Sequence, residues 1–183
     1  VMRGMLWYKR SVSFWDAVLD GDLRGTYQRY HPGVSLMWIA GLGLRIHAVV
    51  EGWSGGDLLN PPVNPSGLQQ YPVEAGVAAL SLAISICIAM SYVLLTRLTS
   101  WSVAFCSACF LALDPFFMTY SKVILNDGLL ASFMLVSALA FLSHQQRRKR
   151  RDLVISGVFA GLAFLTKSPS TFLVPYVSLV TVS

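Results

Sequence analysis

The sequence predicts an all-α, polytopic transmembrane helical bundle with interfacial helices in a long first outer loop. Of its 183 residues, 55% are hydrophobic and 13% are charged, whereas soluble domains carry about 25% charged residues. The apolar residues form long uncharged runs, and five basic residues lie together between two of these runs. This composition excludes a disordered chain and an ordinary soluble globule.

Apolar segments follow one another from residue 73 onward. The segment 75–96 contains 22 residues without a charge, which is enough to cross a hydrocarbon core about 30 Å thick. Later segments carry small residues that would allow helices to pack closely. We therefore predict a membrane domain over 73–183, with transmembrane helices at about 75–96, 98–118, 128–143, 153–166 and 171–183, the last of them incomplete.

Residues 1–72 are predicted to form the first outer loop, with two amphipathic interfacial helices. In the first helix, 11–19, Val12, Trp15 and Leu19 recur at helical spacing. Tryptophan and tyrosine residues are interleaved with charges in this part of the chain. That mixture is typical of a helix lying at the headgroup level of a membrane.

The second interfacial helix is predicted within 33–50. Arg45 and His47 interrupt this apolar segment, and the uncharged part before them is too short to span the hydrocarbon core. We therefore expect an interfacial or re-entrant helix. Residues 51–72 follow as a loop, because their density of glycine and proline excludes both helix and strand.

The net charge of +5 comes from one segment, since removing the five basic residues 147–151 leaves zero. A nucleic-acid-binding protein would spread basic residues over a face, so no nucleic-acid partner is expected. Basic loops between spans are cytoplasmic. We therefore expect an integral membrane protein of the inner or plasma membrane, with residues 147–151 in the cytoplasm. Its residues 1–72, Asp127 and Lys167 would all lie outside.

Asp127 and Lys167 are the candidate functional residues on that outer face. Asp127 begins an apolar helix, where Asn126 or Asp127 would serve as the N-cap, or where Asp127 would face a cavity as an acidic group. Lys167 ends another apolar helix. It would be either a snorkelling anchor or a cation that holds the phosphate of a lipid-linked substrate.

No metal site is indicated by the spacing of histidine and cysteine. His31 and His47 are sixteen residues apart, and the three cysteines lie in apolar runs. A divalent metal is therefore possible but not indicated, and no other cofactor is implied. Asp20-Gly21-Asp22 has the spacing of a sugar-nucleotide motif, but the Asp-Gly pair favours a turn.

Three segments in a fixed order resemble the GT-C superfamily of membrane glycosyltransferases, specifically the protein O-mannosyltransferase and aminoarabinose-transferase-like enzymes. The resemblance covers nearly the whole chain, which would correspond to about the N-terminal third of such an enzyme. The segments are 14–34 with His31-Pro32-Gly33-Val34, 113–130 with Asn126-Asp127-Gly128, and 161–169 with Leu165-Thr166-Lys167-Ser168-Pro169.

The resemblance implies transfer of a sugar from a polyprenyl-phosphate-linked donor to an acceptor on the extracytoplasmic face, with membrane lipids as the surroundings. Asp127 matches the acidic residue of the second outer loop, and Lys167 matches a lysine that would contact the donor phosphate. His31 would have a positioning role, and Lys122 is a further basic candidate.

The resemblance also implies a general base, a carboxylate in the first outer loop close to the first transmembrane helix. No acidic residue precedes Asp16 in the sequence. The catalytic Asp or Glu is therefore expected upstream of Val1, and this chain by itself is expected to be inactive.

A non-catalytic polytopic membrane protein, such as a transporter segment or an assembly subunit, is the alternative. Transporters commonly contain inverted repeats and place charges near the midplane of the membrane. The sequence has no evident internal repeat, and its candidate charges are predicted to cluster at one face. Both observations favour the glycosyltransferase. The sugar and the acceptor stay undefined at this stage.

Overall fold

The computed structural model describes residues 2–27, 33–53, 55–61 and 71–182, and within them all regular structure is helical. The predicted all-α class is confirmed. In these residues the helices are α1 Met2–Leu19, α2 Val34–Glu51, α3 Gly55–Leu59, α4 Val73–Leu98, α5 Trp101–Leu113, α6 Pro115–Ser121, α7 Asn126–Arg147, α8 Arg150–Thr166, a 3₁₀ helix Ser168–Phe172, and α9 Leu173–Val182.

Three of the helices in the described ranges, α2, α4 and α7, are long and apolar enough to cross a membrane. This confirms a polytopic helical protein. The helices predicted at 75–96, 128–143 and 153–166 are present as α4, α7 and α8, with longer bounds. The division into an outer loop and a membrane domain stays a prediction.

Helix α7 lies at the centre of the bundle, between α4 and α8. Its residues Leu129, Val136 and Ala140 are fully buried. Only Arg148 and Lys149 join α7 to α8, so the two helices form an antiparallel hairpin. Arg148 is left-handed, with φ at 53°, which ends α7 within one residue.

The hairpin defines two ends of the bundle. The basic end carries residues 147–151, where α7 ends and α8 begins. The opposite end is where α7 begins and α8 ends. Because a helix rises about 1.5 Å per residue, Asp127 and Arg147 are separated by about 30 Å along α7. The opposite end therefore brings Asp127 and Lys167 together, far from the basic run.

The predicted helix 98–118 is divided into α5 and α6 at Asp114. The Asp114 carboxylate accepts a hydrogen bond from the Phe117 backbone N–H at 2.8 Å, and Pro115 occupies the first turn of α6. Aspartate at the N-cap followed by proline is a helix-start signal. The prediction of one continuous helix was wrong at this point because a new cap outweighed the apolar continuity.

Helix α2 lies within one residue of the predicted segment 33–50. It runs unbroken from Val34 to Glu51 and includes Arg45. The prediction that 33–50 is too short to span rested on the charge of Arg45. In the structure the Arg45 guanidinium forms an ion pair with Asp16 of α1. The charge therefore has a partner within the bundle, and α2 is among the helices long and apolar enough to cross a membrane, while its interfacial placement stays a prediction.

Helix α1 is longer than the predicted 11–19, because Trp7 and Tyr8 extend the buried stripe of Ser11 and Val12 by one turn at four-residue spacing. The prediction that 51–72 excludes helix was wrong for α3, a single turn whose Leu58 is fully buried. The carbonyl oxygen of Leu58 accepts a hydrogen bond from the Tyr8 hydroxyl at 2.7 Å.

We predict that Gly43→Ala destabilises the contact between α2 and α4. A Cβ on Gly43 would lie 2.6 Å from the Ala75 carbonyl oxygen and 2.6 Å from Ala79 Cβ. Since the carbonyl belongs to the α4 backbone, the helices must separate, and we expect a loss of about 1–3 kcal/mol. The measurement is thermal unfolding of the purified protein in detergent, followed by tryptophan fluorescence.

Gly161→Ala is the matched control for this prediction. Gly161 lies in α8, and apart from the adjacent helix backbone no described atom lies within 4 Å of a Cβ placed there. This variant should be neutral or slightly stabilising, because alanine is the better helix former. Equal unfolding temperatures for Gly43→Ala and wild type would show that the helices are not in close contact at Gly43.

Candidate functional site

The candidate site lies at the opposite end of the bundle, where Lys167 and Asp127 form an ion pair. The Lys167 Nζ atom donates a hydrogen bond to Asp127 Oδ1 at 2.7 Å. The two residues are forty positions apart in the sequence, and the α7–α8 hairpin places them side by side. The structure therefore joins the two residues that the sequence analysis had selected separately.

Both charges occupy favourable positions in the helix dipoles. Asp127 is the second residue of α7, and Lys167 is the C-cap of α8. The first turn of a helix favours an acidic side chain, and the last turn favours a basic one. Because α7 and α8 are antiparallel, their unlike ends are adjacent, and this positions the carboxylate opposite the ammonium.

The interpretation of Asn126 or Asp127 as the N-cap of α7 was wrong. The N-cap residue is Leu125, which has an extended backbone and no side-chain hydrogen bond to the helix. Helix starts leave backbone N–H groups without intrahelical partners. The start of α7 therefore has no side-chain cap, and the Asp127 carboxylate is directed to Lys167.

The ion pair is partly open to the surroundings. The side chain of Lys167 is 38% exposed and that of Asp127 is 50% exposed. An exposed pair of this kind contributes about 0–1 kcal/mol to stability. Lys167 can therefore exchange the carboxylate for another anion at little cost, which a deeply buried pair could not do.

Asn126, the residue that precedes Asp127, is buried at this end of the bundle. The residue is 6% exposed, and no described residue donates a hydrogen bond to its Oδ1 atom. The neighbouring Gly33 donates its backbone N–H to the Thr166 carbonyl at 3.0 Å. Gly33 has φ at +52° and packs under the Trp7 ring, where a side chain would collide. The start of α2 is thereby fixed next to Lys167.

The other two predicted site residues are not joined to this pair. Lys122 is exposed at the end of α6, and no described hydrogen bond or ion pair links its ammonium group to Asp127. His31 lies outside the described residues, as do the neighbouring residues 28–32. The roles expected for His31 and Lys122 therefore stay predictions.

Sequence reasoning did not find the contacts that hold α1 and α2 over this end of the bundle. The Trp15 indole N–H donates to the Met37 and Trp38 carbonyls at 3.1 and 3.2 Å. Burial, with a smaller contribution from Tyr71, raises the pKa of Tyr8, so its hydroxyl stays a donor. The signal available in the sequence was the four-residue spacing of Trp7 with Ser11 and of Tyr8 with Val12.

No group of three or more His, Cys, Asp or Glu side chains in the described ranges is arranged to hold a metal ion. Cys87, Cys106 and Cys109 are free thiols in separate positions. The chemistry available at the opposite end is therefore that of an ammonium group, a carboxylate and a buried amide. This set is suited to binding a phosphate and orienting hydroxyl groups.

The helices and the composition define an integral membrane protein with a charged site at one end of its bundle. Residues 73–182 match the family described as dolichyl-phosphate-mannose-protein mannosyltransferase. The chain belongs to this family and is a membrane glycosyltransferase of the GT-C kind. The family match does not favour the alternative of a transporter segment or assembly subunit. Searches of curated proteins and of solved structures gave no match.

Proposed function

We propose that this protein transfers a sugar from a polyprenyl-phosphate-linked donor to an acceptor on the extracytoplasmic face. The observation that carries the proposal is the partly exposed pair of Lys167 and Asp127 at the end of the bundle opposite the basic run. The family description names a dolichyl-phosphate-linked mannose as the donor of its members. Mannose is therefore the first sugar to test.

Lys167 would contact the phosphate that leaves the sugar. During transfer the bond between the sugar C1 atom and the phosphate oxygen breaks, and the acceptor hydroxyl oxygen forms the new bond to C1. Negative charge then grows on the phosphate, and a fixed ammonium group stabilises it. The 38% exposure of the Lys167 side chain leaves its ammonium accessible to such a ligand.

Asp127 would hold Lys167 in place until the donor arrives. The 2.7 Å hydrogen bond fixes the position of the ammonium nitrogen. Asn126, whose buried amide oxygen accepts no hydrogen bond from the residues that the structure describes, would accept one from a hydroxyl group of the donor or acceptor. The general base that takes the acceptor proton is proposed to be a carboxylate other than Asp127.

The orientation proposed for this reaction follows from charge. Residues 147–151 are placed in the cytoplasm because basic segments are retained there. The opposite end of α7 then lies on the extracytoplasmic side of the inner or plasma membrane. The single-cysteine variants Lys149→Cys and Leu23→Cys test this orientation by labelling with a membrane-impermeant maleimide. Only Leu23→Cys should react in intact cells.

Asp127→Asn in the full-length protein is the main test of the proposed function. We expect transfer of mannose from radiolabelled polyprenyl-phosphate mannose to fall about tenfold to a hundredfold, because Lys167 loses its fixed position. Membrane levels should be unchanged, since an exposed ion pair contributes little to stability. Asp20→Asn, in an exposed turn, is the matched control. Full activity of Asp127→Asn would refute the site, and no transfer by wild type would refute the function.

A further inference from the structure

A groove runs along the side of the bundle between α4 and α8, and its larger part lies away from the ion pair of Lys167 and Asp127. It consists of two adjoining cavities of about 440 and 290 Å³, which share Ile86. The larger cavity extends toward the basic end, and the smaller one reaches Trp38 of α2 and Phe133 of α7. Nothing in the proposed sugar transfer uses the larger cavity.

The larger cavity has an apolar wall and a basic mouth. Arg97 and Arg151 are the charged residues among those that line it, and the others are apolar. Arg151 belongs to the basic run, and its side chain is 65% exposed. The combination of an apolar channel with two guanidinium groups at one end is suited to a lipid that has a negatively charged headgroup.

One buried carboxylate holds both guanidinium groups at the mouth. Asp152 is fully buried, and its Oδ1 atom lies 3.3 Å from Arg97 Nη1 and 3.8 Å from Arg151 Nε. Its Oδ2 atom accepts a hydrogen bond from Ser143 Oγ at 2.7 Å. Two positive charges and one negative charge leave a net charge of +1. Each guanidinium has five N–H donors, so donors remain for an anion.

The groove is long enough for one leaflet of a bilayer. Its residues on α4 extend from Ala83 to Arg97. At 1.5 Å per residue this is about 21 Å, compared with about 15 Å for half of the hydrocarbon core. A phospholipid could therefore place a whole acyl chain in the groove while its headgroup stays at Arg97 and Arg151.

We propose that this groove binds an anionic phospholipid from the leaflet at the basic end, with its phosphate on Arg97 and Arg151. The occupant is a phospholipid rather than the polyprenyl-phosphate donor because these charges lie at the end of the bundle away from Lys167, the proposed contact of the donor phosphate. The proposal does not depend on the sugar-transfer function. A lipid here would bridge α4 and α8 at the end where the basic run begins.

The test is lipid binding by the full-length protein in neutral detergent, measured by native mass spectrometry with phosphatidylglycerol and phosphatidylcholine. Wild type should retain phosphatidylglycerol in preference to phosphatidylcholine. Arg151→Gln should weaken phosphatidylglycerol binding about fivefold, as expected for one basic residue near the phosphate. Ala89→Phe places a ring in the groove from an exposed position. It should weaken binding about tenfold or more, because displacing about two methylenes of the acyl chain from the groove already has that effect.

Matched controls separate this site from general charge and from misfolding. Arg150→Gln removes the same charge from the same run at an exposed position that does not line the groove. Ala78→Phe adds the same ring to an exposed position on α4 outside the groove. Both controls should bind phosphatidylglycerol as wild type does.

Three results would overturn the proposal. Equal binding of the two phospholipids by wild type would exclude headgroup recognition. Equal weakening by Arg151→Gln and Arg150→Gln would assign the binding to the charge of the run as a whole. Displacement of phosphatidylglycerol by an equimolar polyprenyl phosphate, in wild type but not in Ala89→Phe, would assign the groove to the donor lipid.

Discussion

Full-length protein carrying Lys167→Ala is expected to transfer sugar about 10²–10³ times more slowly than wild type, which is the loss seen when one electrostatic stabiliser of a developing anion is removed. The ammonium group lies 2.7 Å from Asp127 and is accessible at the end of the bundle. Its proposed role is to stabilise the departing phosphate. The measurement is the initial rate of transfer from a radiolabelled polyprenyl-phosphate sugar in proteoliposomes.

Separate kinetic constants distinguish stabilisation of the phosphate from simple binding of the donor. If Lys167 acts when charge develops, then kcat falls more than KM rises. Lys167→Arg keeps the charge but changes its geometry, so it should recover part of the rate. Lys149→Ala, an exposed lysine at the basic end, is the matched control and should keep the wild-type rate. A wild-type kcat for Lys167→Ala would exclude contact between Lys167 and the leaving phosphate.

Asp152→Ala is expected to cause a large loss of stability, about 3–5 kcal/mol. Asp152 is fully buried, and its carboxylate accepts hydrogen bonds from Ser143 Oγ at 2.7 Å and from Arg97 Nη1 at 3.3 Å. Removing the carboxylate leaves the partly buried Arg97 without its counterion. The measurement is thermal unfolding in detergent, together with the yield of folded protein. Glu51→Gln, at an exposed position, should unfold as wild type does.

A double replacement separates the loss of a charge from the loss of packing. Arg97→Met with Asp152→Leu removes both ions and restores apolar contacts, so much of the stability should return. Ser143 can then donate its hydroxyl proton to the backbone carbonyl one turn earlier. If the double variant is as unstable as Asp152→Ala, the space around Asp152 rather than the unpaired Arg97 causes the loss.

The transmembrane helices were predictable from the sequence because their signal is local. A run of uncharged residues of spanning length has few alternatives to a helix, since backbone groups in a membrane must bond within the segment. The segment 75–96 satisfies this condition and is present as α4, whereas 128–143 is slightly shorter and reaches spanning length as α7 through its flanking residues. Their boundaries moved because flanking residues such as Glu74 and Arg97 continue the helix beyond the apolar run.

The ion pair of the candidate site was only partly predictable. Counting the spans indicated that Asp127 and Lys167 lie at the same end, because they are separated by two helices joined through the basic loop. The order of the spans does not give the distance between the two side chains. The 2.7 Å contact depends on the packing of α7 against α8 and on the left-handed Arg148 that joins them closely.

Errors in the sequence analysis arose where a distant residue or a local cap changed the meaning of a charge. Arg45 interrupts an apolar segment of the sequence, but Asp16 of another helix forms an ion pair with it. Asp114 lies within a segment predicted as one helix, but its carboxylate caps α6. The proline after Asp114 was a signal in the sequence that a new helix begins there. No such signal indicated that Arg45 pairs with Asp16, because these two residues are 29 positions apart.

The order of the apolar segments, the single basic run and the end of the bundle that holds Asp127 and Lys167 follow from the amino-acid sequence, because hydrophobic length and loop charge act on each segment separately. Tertiary packing alone paired Arg45 with Asp16, buried Asn126 next to the site, placed Asp152 between two arginines and formed the groove between α4 and α8. These features depend on contacts between helices. The residue pattern along one helix does not specify which side chain of another helix will lie against it, and that side chain determines the free energy of the contact.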